Sequence, residues 1–382
     1  MRALAAALDR RRSEGLYRER RVVSGPVGPE AVVDGRRLLA FCSNDYLGLA
    51  GDPRVAEAFA SAARRFGSGS GAAHLVNGHH AEHHALEEEL AAFTGRARAL
   101  LFSTGYMANL GTIAALAGRG DSVIGDRLNH ASLIDGARLS GARRLRYRHA
   151  DPDSLAEQLK RAPGRALVAT DGVFSMDGDV APLAELAATC REHDARLLVD
   201  DAHGLGATGP GGRGSLALAG LDAGQVPLLV GTLGKAFGTF GAFVAGDEPM
   251  IETLIQHARP YIYTTALPPA VAAATRASLR LAIDEEWRRD RLAELVARFR
   301  AGAGALGLEL LPSQSPIQAL VLGDAARALD ASRALEARGL LVTAIRPPTV
   351  PDGTARLRIT FSAAHDEAQV DRLLDGLAEL PA

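Results

Sequence analysis

Lysine is nearly missing from this chain. Of its 43 Lys and Arg residues only Lys160 and Lys235 are lysines, so arginine meets almost every other need for positive charge. Cysteine is equally scarce: Cys42 and Cys190 form neither a disulfide framework nor a C-x-x-C ligand pair, which points to a reduced, cytoplasmic protein. No apolar run approaches the roughly 20 residues that span a bilayer, so no membrane is expected. A net charge of −2 over 382 residues leaves no footprint for nucleic acid or an anionic surface. Internal repeats, low-complexity tracts and Pro/Ser linkers are also absent. The Arg-rich start, "MRALAAALDRRRSEGLYRER", patterns as a helix, and Asp9, Glu14 and Glu19 set it apart from acid-poor transit peptides.

What is present is alternation. Short β-rich runs at 98–102, 121–125, 165–170, 195–200, 227–232 and 241–246 are spaced by Ala/Leu-rich helical stretches. This predicts an α/β fold with a mainly parallel central sheet covered by helices on both faces, its ligands outside the carboxyl ends of the strands. Three parts are expected: an N-terminal helix and hairpin (1–43, with a turn at Asp34-Gly35), a large domain (44–280), and a smaller α+β domain (281–382).

Lys235 stands in "GTLGKAFG", among glycines and small apolar residues. A P-loop would need glycine at 229 and Ser or Thr at 236, where this chain has Leu229 and Ala236. Arginine can replace lysine as a charge, but its guanidinium cannot form an imine. An aldehyde cofactor such as pyridoxal phosphate then asks for an acid at its ring nitrogen, a stacking ring and a phosphate site. "LLVDDAHG" offers Asp200 or Asp201 on opposite faces of a strand end, with His203 nearby. "FSTGYMAN" turns from strand to helix at Gly105 and Tyr106, a phosphate cradle, and "DRLNHASL" supplies His130 as a flat ring.

With these stretches the chain resembles the α-oxoamine synthases, pyridoxal-phosphate enzymes of the aspartate-aminotransferase fold (fold type I). The resemblance is carried by "FCSNDYLGLA", "NHASLIDGA", "DGVFSMDGDVAPL", "VDDAHGLGATGPGGRG", "GTLGKAFG" and "TAIRPPTVPDGTARLRIT", and covers essentially the whole chain. It implies that Lys235 is the imine-forming lysine, Asp200 the pyridinium partner, His203 the contact to the phenolic oxygen and His130 the stacking ring. Gly105, Tyr106, Ser175 and Thr232 match cofactor-binding positions. Arg18, Asn44 and Thr349 match substrate positions, Arg346 in "TAIRPPTVP" the clamp for the amino-acid carboxylate. Thr264 or Thr265, in "YIYTTALPP", would reach the cofactor phosphate of a neighbouring subunit, making the protein a homodimer with shared sites. The implied reaction is decarboxylative condensation of L-alanine with a pimeloyl thioester, carried on coenzyme A or on acyl carrier protein. Glycine-using relatives and a non-catalytic cofactor-binding regulator are the alternatives, the latter short of an added DNA-binding module or a lost lysine. Ala73 and His74 depart from the family's usual serine and Arg or Gly.

Three further features are read conservatively. "HHAEHH" pairs His79 with His83 and His80 with His84 at helical i, i+4 spacing, but without the order of a zinc protease, and no functional metal is expected. "GSGSG" (67–71) follows a helix, not a strand, and is no dinucleotide fingerprint. "RRLRYRH" (143–149) reads as a solvated basic face, with an acidic carrier protein as the other reading.

Overall fold

A computed structural model describes residues 2–380; the outermost positions of the expected terminal segments, 1, 381 and 382, lie outside them. The chain divides into two compact units. One unites residues 1–46, 176–179 and 290–382, the other 47–175 and 180–289.

In the first unit, helix α1 (Arg2–Ser13) precedes strands β1 (Val23–Ser24), β2 (Glu30–Val33) and β3 (Arg36–Ala40). Val33 pairs with Arg36 across the two-residue loop Asp34-Gly35, where both residues have positive φ (50° and 80°). That is the backbone a tight, right-twisted hairpin requires, and Gly35 adopts it without steric cost.

The second unit holds the large sheet. Its strands are β4 (Arg98–Phe102), β5 (Ser122–Asp126), β6 (Arg143–Tyr147), β7 (Ala166–Asp171), β8 (Arg196–Asp200), β9 (Leu228–Thr232) and β10 (Ala242–Gly246). They lie in the order β4-β10-β9-β8-β7-β5-β6, with β10 antiparallel to both its neighbours and the pairs from β9 to β6 parallel. Both faces are buried, so Leu100, Leu101 and Phe102 are all sequestered despite alternating direction. One face packs Leu100, Val123, Leu167, Leu198 and Val230 against Ala108 and Ile113. Strand β6 was not expected: "RRLRYRH" supplies the edge of the sheet, and Arg143, Arg144 and Arg146 are exposed there.

Helices α2 (Pro53–Phe66), α3 (Ala81–Thr94), α4 (Gly105–Leu116) and α5 (Ala131–Leu139) belong to this unit. Asp52 caps α2 and Pro53 opens it, while Gly67 of "GSGSG" ends it at φ 85°.

The first unit closes with β11 (Ile317–Gly323), β12 (Leu340–Leu341), β13 (Thr343–Ile345) and β14 (Ala355–Thr360). β11, β14 and β13 form an antiparallel sheet, whereas β12 adds in parallel to β3. The N-terminal hairpin is therefore no separate segment. Its buried Leu38, Leu39 and Phe41 need cover that a lone hairpin cannot give, and the C-terminal part of the chain shares their sheet. The second boundary lies at 289/290, not at 280/281. Among the described residues no helix is long and apolar enough to cross a membrane.

Candidate active site

Strands β4, β5, β7, β8 and β9 run the same way, so their carboxyl ends open on one edge of the sheet, the edge where such sheets bind ligands. β8 ends at Asp200, which retains 5% of its exposure. Its Oδ2 accepts a hydrogen bond from Asn109 Nδ2 at 2.5 Å and its Oδ1 one from the Ala202 amide at 3.0 Å. Asp201, fully buried, faces the other way: its Oδ2 accepts from the Ser215 amide at 2.7 Å and its Oδ1 has no partner. Burial pushes the Asp201 carboxyl up to about 6. Opposite pointing of adjacent strand residues separates the two acids.

Asn109 was missed by the sequence reading. It lies one turn inside α4, on the same face as Gly105, and polar side chains in that apolar helix are few. It also donates to Ser132 Oγ at 2.9 Å, and Ser132 Oγ is 2.7 Å from His130 Nδ1. A continuous chain thus runs Asp200–Asn109–Ser132–His130. Because the Ser132 hydroxyl accepts from Asn109 and the Ser132 amide points at His130 Nδ1 (3.3 Å), that nitrogen is the acceptor and Nε2 carries the proton. The amide of His130 donates to Asp171 Oδ2 at 2.7 Å. Desolvation holds the His130 ring below its ordinary value, and burial beside Asp200 holds Asp171 well above its own.

Lys235 follows β9 by three residues, and its Nζ lies 2.8 Å from His203 Nε2. Thr232 ends β9, donating to the Gly241 carbonyl at 3.1 Å and accepting from the Gly234 amide. Thr104 caps α4 by accepting from Met107, while the amides of Gly105 and Tyr106 find no acceptor among the described residues. Two free amides at the positive end of a three-turn helix suit a phosphate. The Tyr106 hydroxyl is bonded to Asp135, and its ring meets that of His130 edge-on at 6.4 Å. Ser175 is half-buried beyond β7. Thr264 and Thr265 follow the short helix Arg259–Ile262, and their hydroxyls bond to none of the described residues.

These residues fit pyridoxal phosphate. A buried carboxylate at a strand end, a lysine amine on a histidine, free helix amides and a buried, unpartnered Asn109 Oδ1 are the polar contacts its ring and phosphate ask for.

The remaining expected residues belong to the other unit. Arg18 Nη2 lies 3.4 Å from Thr349 Oγ1. Asn44 Oδ1 accepts from both the Tyr46 hydroxyl and Arg358 Nη2, each at 3.2 Å. Arg346 is partly committed, with two of its five N–H donors already used. Nε donates to the Gly15 carbonyl at 2.6 Å and Nη2 to the Tyr17 carbonyl at 2.9 Å, because the chain leaving α1 brings backbone acceptors that need donors. Arg358, overlooked in "TARLRIT", is buried in β14.

The aminotransferase class I and II family matches residues 36–377. An 8-amino-7-oxononanoate synthase from Thioalkalivibrio sulfidiphilus is 64% identical over 379 residues, 99% of this chain and 97% of that protein. Among solved structures, a lysine-to-alanine variant of serine palmitoyltransferase from S. paucimobilis with a bound PLP–myriocin aldimine is 37% identical with a TM-score of 0.93, covering 98% of this chain and 96% of that one. An 8-amino-7-oxononanoate synthase from Francisella tularensis is 32% identical with a TM-score of 0.79, covering 90% and 97%.

Proposed function

The chain belongs to the aminotransferase class I and II family and, within it, to the 8-amino-7-oxononanoate synthases, and from that premise we propose how its own residues divide the work. It is a pyridoxal-phosphate-dependent acyltransferase of biotin biosynthesis. It condenses L-alanine with a pimeloyl thioester: the Cα proton is removed, a C–C bond forms from alanine Cα to the acyl carbon, the C–S bond breaks to free the carrier thiol, the alanine carboxylate leaves as CO2, and Cα takes a proton back. The observation that carries the reading is full-length identity above 60% combined with a lysine amine held at 2.8 Å from a histidine beside a buried strand-end carboxylate.

Bound pyridoxal phosphate supplies an aldehyde for the amino group and an electron-poor ring that takes up the pair left on Cα. Lys235 is the residue that would hold the cofactor, and its free amine would take the alanine Cα proton. Asp200 keeps a negative charge against the ring nitrogen, and Asn109 fixes its orientation by donating to Oδ2. His130, its Nδ1 committed to Ser132, presents Nε2–H to the thioester carbonyl, where negative charge develops. Gly105, Tyr106, Ser175, Thr232 and His203 hold the phosphate and ring substituents. Thr264 and Thr265, with free hydroxyls, serve a second subunit's phosphate in a homodimer. The protein works in the cytoplasm.

Arg18, Asn44 and Thr349 are assigned to substrate. For the alanine carboxylate there are two readings. After serving its backbone partners Arg346 keeps three N–H donors, two on Nη1 and one on Nη2, so as the clamp it can still meet both carboxylate oxygens end-on. Arg358 favours a second reading, in which it binds the carboxylate beside Asn44 while Arg346 positions the 15–18 segment that carries Arg18.

Purified protein supplied with L-alanine or glycine, and with pimeloyl-CoA or pimeloyl-acyl carrier protein, tests the function. 8-Amino-7-oxononanoate formed from alanine supports it. Turnover of glycine with a short acyl thioester alone would move the chain to the glycine-using relatives.

A further inference from the structure

The stretch "HHAEHH" takes no part in this chemistry, and its geometry is not the pair of i, i+4 contacts that its spacing suggests. His80 caps α3 from outside the helix. His83 turns fully inward: its Nδ1 accepts from the His80 amide at 3.0 Å and its Nε2 donates to the Leu267 carbonyl at 2.7 Å. With both ring nitrogens committed, His83 is scaffold.

His79, His84 and Glu87 are arranged differently. One donor atom from each lies within 4.8 Å of the other two. His84 and Glu87 share a face of α3 at i, i+3 spacing, and His79 reaches them from just before the helix. The Glu87 side chain is 11% exposed; its Oε1 accepts from the Leu101 amide at 2.9 Å, and its Oε2 faces His79 Nε2 at 3.9 Å. The other His79 nitrogen, Nδ1, is 2.9 Å from Nδ1 of buried His74, whose ring stacks on Tyr261 at 5.0 Å. When His79 Nδ1–H donates to His74, the lone pair on Nε2 points at Glu87, the tautomer that ligation requires.

We propose that His79, His84 and Glu87 form a binding site for a divalent transition metal of the zinc class, with one position open to water. Two imidazoles and one carboxylate are a donor set that suits zinc and not the oxygen-seeking magnesium or calcium. Zinc bonds of about 2.0–2.2 Å bring donors to roughly 3.4 Å apart, so the set must close by at most about 1.4 Å, which the exposed His84 can supply. Each ligand has its outer support: His74 behind His79, the Leu101 amide on Glu87, and Glu88 Oε1 at 3.6 Å from His84 Nε2. The metal would also tie α3 to the 74–80 turn. The stretch just before that turn is laced to the segment carrying Thr264 and Thr265, through Ala266 N to Ala72 O at 3.0 Å and Ser70 Oγ to Ala266 O at 2.5 Å.

Co2+ titration of the holoenzyme, read by its ligand-field absorption and by displacement with Zn2+, tests the site. One ion per chain is expected, and bound Zn2+ should slow amide exchange in residues 74–80. His79→Gln and His84→Gln change side chains that reach solvent, so the fold survives, and each should weaken binding by at least about tenfold. His80→Gln should leave it unchanged. Binding that His79→Gln and His84→Gln do not weaken, or no stoichiometric binding, overturns the proposal.

Discussion

Replacing Asp200 by Asn separates the two adjacent acids. The substitution keeps size and shape, and the Asn oxygen can still accept from Asn109 Nδ2, so cofactor binding and fold should survive. What disappears is the negative charge facing the ring nitrogen in a site that is 5% exposed. A hydrogen bond to a charged partner contributes about 1.5–3 kcal/mol, with the upper half of that range applying to so buried a group. At about 1.4 kcal/mol per decade, removal of the Cα proton should slow by about 30- to 150-fold. Exchange of the alanine α-proton in D2O, followed by NMR without acyl donor, reads this step directly. Asp201→Asn is the partner experiment. Its carboxylate accepts from the Ser215 amide, which an amide oxygen satisfies equally, so α-proton exchange should stay within about twofold. Normal exchange in Asp200→Asn together with loss in Asp201→Asn would refute the assignment.

Asp201 also carries a pH signature. Its folded value is raised to about 6 from 3.8, so the folded state prefers the protonated acid; this group's contribution to stability is fully present below pH 3.8, is lost as pH rises through about 6, and is flat above. The roughly 2-unit shift corresponds to about 3 kcal/mol lost by pH 8, and Asp201→Asn should flatten that part of a Tm-against-pH curve. Arg346→Lys and Arg358→Lys distinguish the two carboxylate readings: the clamp variant should raise the alanine KM by at least about tenfold with little change in thioester KM, since lysine loses the fork. Mixing Lys235→Ala subunits with Thr264→Ala/Thr265→Ala subunits should restore activity in hybrid dimers, and a fully active monomer in sedimentation would exclude shared sites.

Much of the large sheet was legible because its strands are apolar runs bounded by polar residues, and the Asp34-Gly35 turn because few dipeptides accept two positive φ angles. Strand β6 was hidden by its arginines, which an edge position tolerates and an interior one would not. The divided first unit was hidden for another reason: Leu340 and Leu341 reach β3 across some 300 residues, and a two-residue strand has no pattern of its own. At the site, residues at strand ends could be named from local sequence. The carbonyl partners of Arg346 could not, since they lie 331 and 329 residues away and backbone acceptors leave no trace in residue identity. Asn109 left a faint one, a polar side chain on the Gly105 face of an apolar helix. His83 reads as a ligand by spacing alone, and only the carbonyl of Leu267 reveals it as scaffold.

The central claim is that Lys235, one of only two lysines, is the residue that carries pyridoxal phosphate. Borohydride reduction of the yellow holoenzyme followed by peptide mapping tests it most directly. The account predicts one pyridoxyl group per chain, on the peptide containing Lys235, and none in Lys235→Ala. Label on Lys160, or a colourless protein after reconstitution, would contradict it.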